Sequence, residues 1–422
     1  EPPTGAFRGF GTVPLFWAIE SQMDMIAERL GIDPVEIRRR NLLKEGDEMA
    51  TGMITYNIGA EDCLDKVAKW IGWGEKPLEE AGEWERAKGI ALGSKFTSAG
   101  STSVVIVKVH ADATIEVRHS ASEVGQGCDT VLAQIAAEEF STSVDKVKIV
   151  RGDSAITPWD FGSVSSRVTF YTGNAVRLAC QDAKRQIVEI ASQRLKPPRP
   201  PESLEVKDGK IYIRGVSAAV LKIGELFTMP TGWVTRGGEL LGRGVYSFPP
   251  TIEDPETGQA EWPTAYYAHG ACAVEIAINV KTGEVKVLRM AQCWDMAQPV
   301  NPKLCEAQME GGTGMGIGRS LYEELRIKNG VTLNPDFTDY KMPSIMEVPV
   351  DQLGSLIATP QPHKEGPFGA KGFSEGGVVA VGPAIGNAIY NVMRVRLKDL
   401  PITRDKVLAA LKEQREQNAE GK

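Results

Sequence analysis

The sequence predicts an α/β (α+β) fold in which mixed sheets and hairpins alternate with helices. Apolar residues recur at helical spacing near the start of the chain, whereas later segments alternate apolar and polar residues as strands do. Glycine-rich loops cluster at the predicted strand-to-helix joins. Because the chain has 422 residues, 42% of them hydrophobic, we expect two or three domains whose cores need no disulfides.

The first part of the chain is predicted to be helical. Asp33-Pro34 predicts the start of a short second helix, because Asp is a favoured N-cap and Pro fits the first helical position. Residues 51–73 predict a third helix, and the polar stretch after it predicts a boundary near residue 85. The first helix is predicted from apolar residues at helical spacing, which are Phe16, Ile19, Met23, Ile26 and Leu30.

Strands and long helices alternate in the rest of the chain. Hairpins are predicted to turn at Ala111-Asp112, at Asp208-Gly209 and at residues 281–283. A short strand is predicted within 144–153, and helices at 125–140, 173–195, 301–325 and 382–397. We therefore predict a mostly helical first domain at 1–85 and a second domain at 86–422, with lobes at about 86–250 and 251–422.

Composition argues against several classes of function. A net charge of -7 and a pI near 5.5 argue against sequence-independent nucleic-acid binding, which needs Lys and Arg to neutralise phosphates. The six cysteines form no CxxC motif or Cys/His cluster for zinc or an iron–sulfur centre. No apolar run reaches the ~18 residues of a membrane span, and no signal peptide is visible. We expect a cytoplasmic protein.

Four glycine-rich stretches could carry chemistry, at residues 5–11, 125–127, 311–318 and 366–377. Backbone N–H groups that glycine exposes at a helix start suit anionic or polar cofactor groups, such as phosphates and pterins. None of the stretches has the spacing GxGxxG or GxxxxGK(S/T), which argues against dinucleotide-binding and P-loop motifs. The alternative is that each stretch is only a turn.

Two of these stretches contain a polar side chain between small or aromatic neighbours. Arg8 lies between Phe7 and Phe10, where it either contacts a ligand or stacks on the aromatic rings. Gln126 lies between Gly125 and Gly127, where its amide faces either a polar group or water.

Two further segments carry hydroxyl or carboxylate groups. Ser163, Ser165 and Ser166, with Val164 between them, form either a loop that faces a polar ring or a serine-rich helix start. Glu375 is the acid in the last glycine-rich stretch, where a dry pocket would raise its pKa and suit a general base. The alternative for Glu375 is again a turn. The four histidines show neither metal spacing nor a nucleophile partner.

Five motifs occur in an order that resembles a known family. They are "GAFRGFG", "EVGQG", "GSVSSRVTFYTGNAV", "NPKLCEAQMEGG" and "GPFGAKGFSEGG". Together they resemble the molybdenum-cofactor subunit of the xanthine dehydrogenase and aldehyde oxidoreductase family, over nearly the whole chain. The resemblance implies an elongated molybdopterin-binding fold, with 1–85 as the end of a first molybdopterin-binding domain and 86–422 as the second.

The resemblance also implies roles for particular residues. Glu375 would be the active-site base, Gln126 would lie close to the molybdenum, and Phe10 would form an aromatic wall for the substrate. The remaining implied residues would contact the molybdopterin or line it: Phe7, Arg8, Gly9, Gly125, Gly127, Ser163, Val164, Ser165, Ser166, Gln308 and Gly372.

The implied activity is hydroxylation of an aromatic, N-heterocyclic or aldehyde substrate with water as the oxygen source. The implied cofactors are molybdenum bound to molybdopterin in its cytosine dinucleotide form, with [2Fe–2S] clusters and FAD on partner subunits. Because the chain opens without Met at the "GAFRGFG" region, we expect a partner chain to supply the upstream half of the cofactor domain in a hetero-oligomer, of which a dimer of heteromers is one form.

Two alternatives stay open at this point. Phe373-Ser374 before Glu375, together with Gly376-Gly377 after it, resembles the 4-hydroxybenzoyl-CoA reductase branch, which implies reductive dehydroxylation of an aryl-CoA thioester. A scaffold that binds cofactor or partner chains without catalysis is the other.

Overall fold

The computed structural model describes residues 5–76, 82–97, 100–229, 231–235 and 238–420, with side chains to residue 416. The first elements in the chain are helices. The helices are α1 (Thr12–Leu30), α2 (Pro34–Arg40), α3 (Ala60–Ile71), α4 (Cys128–Glu139), α5 (Gly173–Arg194), α6 (Pro302–Leu321), α7 (Gly376–Val379), α8 (Val381–Met393) and α9 (Arg404–Glu420). The first four residues and part of the polar stretch near residue 80 lie outside the described residues.

Local signals in the sequence set several of these helix ends. Asp33 caps α2 as predicted, because its Oδ1 accepts hydrogen bonds from the N–H groups of Val35 at 2.8 Å and Glu36 at 3.2 Å. The third predicted helix is confirmed but begins only at Ala60, since the chain before it forms a bridge between Glu48 and Ile54. The helix predicted at 382–397 ends at Met393.

The strands are β1 (Trp84–Phe96), β2 (Thr102–His110), β3 (Ile115–Arg118), β4 (Val147–Val150), β5 (Leu204–Lys207), β6 (Lys210–Ile213), β7 (Ala219–Lys222), β8 (Glu239–Ser247), β9 (Tyr267–Asn279), β10 (Val285–Asp295), β11 (Ile327–Lys328), β12 (Val331–Thr332) and β13 (Leu353–Ala358). The three predicted hairpins are confirmed as the antiparallel pairs β2/β3, β5/β6 and β9/β10. The sequence analysis did not predict β1, β7, β8, β11, β12 or β13.

One four-stranded sheet has the order β4-β3-β2-β8, with β3 and β4 parallel. Helices α4 and α5 cover it, and their apolar residues share one core with the sheet. Gly242 on β8 is required for this packing, because a Cβ there would lie 2.2 Å from the backbone oxygen of Ala179 on α5. Strands β5, β6 and β7 form a separate antiparallel sheet.

A second four-stranded sheet has the order β1-β9-β10-β13, with β10 and β13 parallel. Helix α3 packs on β9 and β10, where Leu64 and Val67 join a core with Ile90 and Cys293. Helix α8 packs on β1 and β9 in a different core, and α1 packs on α8. The helices before residue 72 therefore lie against a sheet built from later residues.

Helix α1 is confirmed, but it buries two acidic residues and exposes several apolar ones, unlike an ordinary surface helix. Its buried residues include Glu20 and Asp24, both of which pair with buried Arg38. Ile26 and Leu30, which helped to predict the helix, are 44% and 62% exposed. Amphipathic helices normally bury the apolar face, so the exposed face requires an explanation.

Among the described residues, one helical segment, Gly376–Met393, has the length and hydropathy of a membrane span. Of that segment, 78% is buried inside the structure. Its side chains pack against the sheet of β1 and β9 and against α1 and α6. It is thus accounted for as the core helices α7 and α8.

Candidate active site

Arg8 joins three separate parts of the chain. Its Nε donates to the backbone oxygen of Ser374 at 3.1 Å, and its Nη2 donates to the backbone oxygen of Gln308 at 2.8 Å and to Gln308 Oε1 at 3.2 Å. Burial lowers the pKa of Arg8 to about 10, and the charge of Glu375 opposes that shift. The guanidinium therefore stays charged at neutral pH and holds the segment before α1, helix α6 and the loop before α7 together.

Glu375 is the residue after Ser374, and its carboxylate lies beside a buried lysine. Glu375 Oε2 is 3.1 Å from Lys95 Nζ, and the two side chains are 14% and 2% exposed. Despite that ion-pair distance, Oε2 accepts no directed hydrogen bond. The Glu375 backbone N–H donates to Ser166 Oγ at 3.1 Å, which fixes the loop. One carboxylate oxygen is thus held next to a positive charge while its hydrogen-bonding capacity remains unused.

Tyr266 connects the serine-rich loop to the last glycine-rich loop. Its hydroxyl donates to the backbone oxygen of Ser166 at 3.0 Å and accepts from the N–H of Gly372 at 3.0 Å. Ser165 and Ser166 have φ values of 51° and 56°, in the left-handed region that most residues avoid. Only glycine fits at 372, because a Cβ there would lie 1.9 Å from the Ser166 backbone oxygen.

Gln126 lies in a second group of residues at the start of α4. Its Oε1 accepts from the N–H of Val124 at 2.6 Å, and its Nε2 donates to the backbone oxygen of Ser122 at 2.8 Å. Ser163 Oγ donates to that same oxygen at 2.5 Å. The Gln126 turn is therefore linked to the serine-rich loop, but its amide is engaged within its own turn.

The backbone donors of this turn are also engaged. Glu123 Oε1 accepts from the N–H groups of Gly125 at 2.8 Å and Gly127 at 3.0 Å. Burial raises the pKa of Glu123, but the backbone donors of Gly127 and Asp129 outweigh it, so the net shift is downward. The N–H groups that the sequence suggested for a cofactor thus bind an ionised side chain of this chain.

The remaining predicted residues lie around these two groups. Gly9 is buried with a φ of 102°, and a Cβ there would lie 2.7 Å from Val13 Cγ2. Phe7 is 37% exposed beneath the guanidinium of Arg319, while Phe10 and Val164 are 60% and 49% exposed. The structure therefore brings Arg8, Gln308, Ser166, Gly372 and Glu375 together as a first group. The Gln126 turn, which is the second group, adjoins the first group through Ser163.

The sequence analysis missed Lys95, Tyr266 and Ser374. Ser374 Oγ donates to Gln308 Oε1 at 2.9 Å, and Lys95 Nζ donates to the backbone oxygen of Phe96 at 2.8 Å. Ser374 could have been proposed as a site residue, because it directly precedes the predicted base Glu375 in the same glycine-rich stretch. Lys95 and Tyr266 stand outside every glycine-rich stretch, and nothing local in the sequence distinguishes them.

These residues fit an anionic or polar cofactor at the first group better than at the second. Arg8 and Lys95 supply buried positive charge, and the unused Glu375 Oε2 is an acceptor that a bound group could satisfy. In the described part of the chain, Glu123, Cys128 and Asp129 also bring possible metal-ligand atoms within 4.8 Å of one another. Hydrogen bonds to the α4 turn already occupy Glu123, and Asp129 pairs with Arg151.

Comparison with known proteins decides the family. Residues 65–349 match a family model described as a molybdopterin cofactor-binding domain, and residues 1–42 match a second model with the same description. The chain belongs to the molybdopterin cofactor-binding domain family. The family resemblance predicted from the five sequence motifs is thereby confirmed.

Relatives of this molybdopterin-binding chain include molybdenum-binding subunits of oxidoreductases. It is 32% identical over 414 residues to the xanthine dehydrogenase molybdenum-binding subunit of Escherichia coli O157:H7, covering 95% of this chain and 52% of that protein. It is 30% identical over 416 residues to the aldehyde oxidoreductase molybdenum-binding subunit PaoC of Escherichia coli K12, covering 97% and 53%. The chain thus spans about half the length of the curated relatives it matches.

A solved structure has the same fold as this molybdopterin-binding chain. The aldehyde oxidoreductase from Desulfovibrio desulfuricans ATCC 27774 superposes with a TM-score of 0.78 at 27% identity, covering 96% of this chain and 41% of that one. The predicted α/β class of the molybdenum hydroxylase type is therefore confirmed.

Proposed function

We propose that this chain is the catalytic part of a molybdenum hydroxylase, an oxidoreductase that hydroxylates an aromatic, N-heterocyclic or aldehyde substrate with oxygen from water. The supporting observation is the Glu375 carboxylate, whose Oε2 lies 3.1 Å from Lys95 Nζ and accepts no directed hydrogen bond. A carboxylate in this state is suited to accept a proton from a water-derived hydroxyl.

The residues of the first group would bind and orient the cofactor. Arg8, Gln308, Ser165 and Ser166 offer donors and acceptors of the kind that a pterin and its phosphate need. When bound, molybdenum on molybdopterin, in the proposed cytosine dinucleotide form, would supply the two-electron redox chemistry. Phe7, Gly9, Gly372 and Val164 would line this group.

The residues of the second group would need to rearrange, or to act through other atoms, to contact the cofactor. Gln126, which we place near the molybdenum, would have to release its bonds to Val124 and Ser122. Gly125 and Gly127 would approach the cofactor through backbone atoms other than the N–H groups that Glu123 holds. Ser163 would link the two groups. Phe10, which is 60% exposed two residues after Arg8, would form a wall for a planar substrate.

Further polypeptides would complete the enzyme. The chain spans about half the length of its relatives, so another half of the molybdenum-binding subunit would enclose the site. We propose that 1–85 closes the first molybdopterin-binding domain and that 86–422 forms the second. Iron–sulfur and FAD subunits would accept the electrons in a cytoplasmic hetero-oligomer.

The test is the Glu375→Gln variant of the purified complex. Loss of the general base should lower kcat by about 10²–10⁴-fold, with molybdenum and pterin contents unchanged. Glu256→Gln, a change of the same chemistry on an exposed loop, is the control and should leave kcat unchanged. Full activity of Glu375→Gln would refute the proposed role.

The direction of the reaction needs its own assay. Oxidation of an aldehyde or N-heterocycle with an artificial acceptor would support the proposal. Turnover only with a low-potential donor and an aryl-CoA thioester would instead favour the reductive reaction. A complex that is active without molybdenum or tungsten and without pterin would contradict the cofactor assignment.

A further inference from the structure

Helix α1 carries an apolar stripe on its outer face. Leu15, Ile19, Ile26 and Leu30 lie within about 60° of the helix circumference, since successive residues are ~100° apart. They are 53%, 39%, 44% and 62% exposed. We call these four residues the α1 stripe. Gln22, which is also exposed, lies on the same face between Ile19 and Ile26. Exposed apolar side chains gathered on one face of a helix often mark an interaction surface.

The charges on the opposite face fix the orientation of the helix. Arg38 Nε lies 2.7 Å from Glu20 Oε2, and Arg38 Nη1 lies 2.8 Å from Asp24 Oδ1. Glu20 Oε2 also accepts a hydrogen bond from the N–H of Leu92 on β1 at 2.9 Å. Removing a buried charge from its partner is strongly destabilising. These contacts therefore fix the orientation of the helix, with the stripe facing away from the other described residues.

The comparisons indicate which polypeptide this is. The family model that matches the start of the chain covers only residues 1–42, and α1 is the longest element in that range. The relatives have about as much sequence again outside the matched region. In addition, the segment directly before α1 carries Arg8 and Phe10, and Phe10 is 60% exposed.

We propose that the α1 stripe is the docking surface for the half of the molybdenum-binding subunit that the relatives have outside this match. This proposal rests on the partner half named under the proposed function, but not on the reaction. The docked half presents an apolar face to the stripe and extends over Phe10, so that one contact both hides α1 and closes the cofactor side of Arg8.

The test measures the reactivity of thiols introduced into the stripe. Ile26→Cys is placed in the stripe, and Val216→Cys, at an equally exposed position in the turn before β7, is the control. The native cysteines are buried or half-buried, so they give little background. Each variant is treated with a maleimide, first as the chain alone and then in the complex coexpressed with the complementary half.

Ile26→Cys should react at least about tenfold more slowly in the complex, because the reagent reaches a covered side chain only after local opening or dissociation. Val216→Cys should react equally in both. Ile26→Lys should weaken association at least about tenfold, because an unpaired ammonium is costly to bury, whereas Val216→Lys should not. Equal Ile26→Cys rates in the two samples would overturn the proposal.

Two results separate the docking from the catalysis. A complex that contains molybdopterin and turns over substrate, but leaves Ile26→Cys reactive, refutes the docking and leaves the proposed function intact. A protected Ile26→Cys in an active complex without molybdenum supports the docking and refutes the proposed function. Protection in the chain alone, with a sedimentation mass of two copies, shows that a second copy covers the stripe and also overturns the proposal.

Discussion

At the scale of the residue, the site depends on pairs of charges that lie far apart in the sequence. Lys95 is the second-last residue of β1 and Glu375 precedes α7, yet the ammonium and the carboxylate oxygen are 3.1 Å apart. Lys95 also lies 4.0 Å from the centroid of the Phe96 ring. The lysine is therefore held by several contacts at once, and it holds the proposed base.

Replacement of Lys95 by Met should lower turnover at least about tenfold, because the Glu375 carboxylate would lose the ammonium group 3.1 Å away that holds it in place. Lys95→Arg, which keeps the charge, should restore part of the activity. The measurement is kcat for both variants, with molybdenum content determined alongside. Turnover at the wild-type level in Lys95→Met would show that the ion pair has no part in the reaction.

At the scale of the element, glycines set how closely α6 approaches α7. A Cβ at Gly312 would lie 2.5 Å from the backbone carbon of Gly377, two residues after Glu375. A Cβ at Gly314, on the same helix, would meet only Val348 Cγ2 at 3.9 Å. The two positions thus differ in packing and share a helical backbone.

Gly312→Ala should lower the free energy of unfolding by about 1–3 kcal/mol, because the added methyl forces α6 away from α7. Gly314→Ala should raise it by up to about 1 kcal/mol, because alanine has the better helix propensity and nothing blocks its methyl. Urea denaturation of both variants checks the pair. An equal change in the unfolding free energy of both variants would show that α6 and α7 are not tightly packed at Gly312.

The same scale shows what the sequence could and could not predict. The Asp33 cap and the β9/β10 hairpin depend on residues that are close together in the sequence, so the sequence predicts both. The face that α1 buries is not set locally, because it depends on the pairing of Glu20 and Asp24 with Arg38 on α2. Arg8, Gly372 and Glu375 stand in glycine-rich stretches, and Gln308 and Ser166 were implied by the family resemblance, whereas Lys95 was missed because its partner is 280 residues away.

At the scale of the whole molecule, buried ionisable groups behind the site make stability depend on pH. Lys371, whose pKa burial lowers against the opposing charge of Asp295, donates to Asp295 Oδ2 at 2.8 Å. Nearby His363 is 2% exposed. Burial, with the charges of Lys371 and Lys364, lowers the pKa of His363 from 6.5 to about 3.

Acid should therefore destabilise the protein through His363. The folded state keeps the ring neutral, whereas the unfolded chain protonates it below pH 6.5. The contribution is fully present above pH 6.5 and is lost as the pH falls from 6.5 towards about 3. The slope approaches about 1.4 kcal/mol per pH unit. Between pH 7 and 5, the unfolding free energy should fall more steeply for the wild type than for His363→Gln; parallel slopes would contradict this.

The Tyr266 hydroxyl links two loops, so substitutions in one loop affect the other. Its one hydroxyl binds the backbone of both Ser166 and Gly372, which belong to loops more than 200 residues apart in the chain. A substitution that shifts either loop removes a partner from the other, so the effects of changes in the two loops should not add. Tyr266 therefore couples the two loops, so that the effect of a substitution in one loop depends on the residues present in the other.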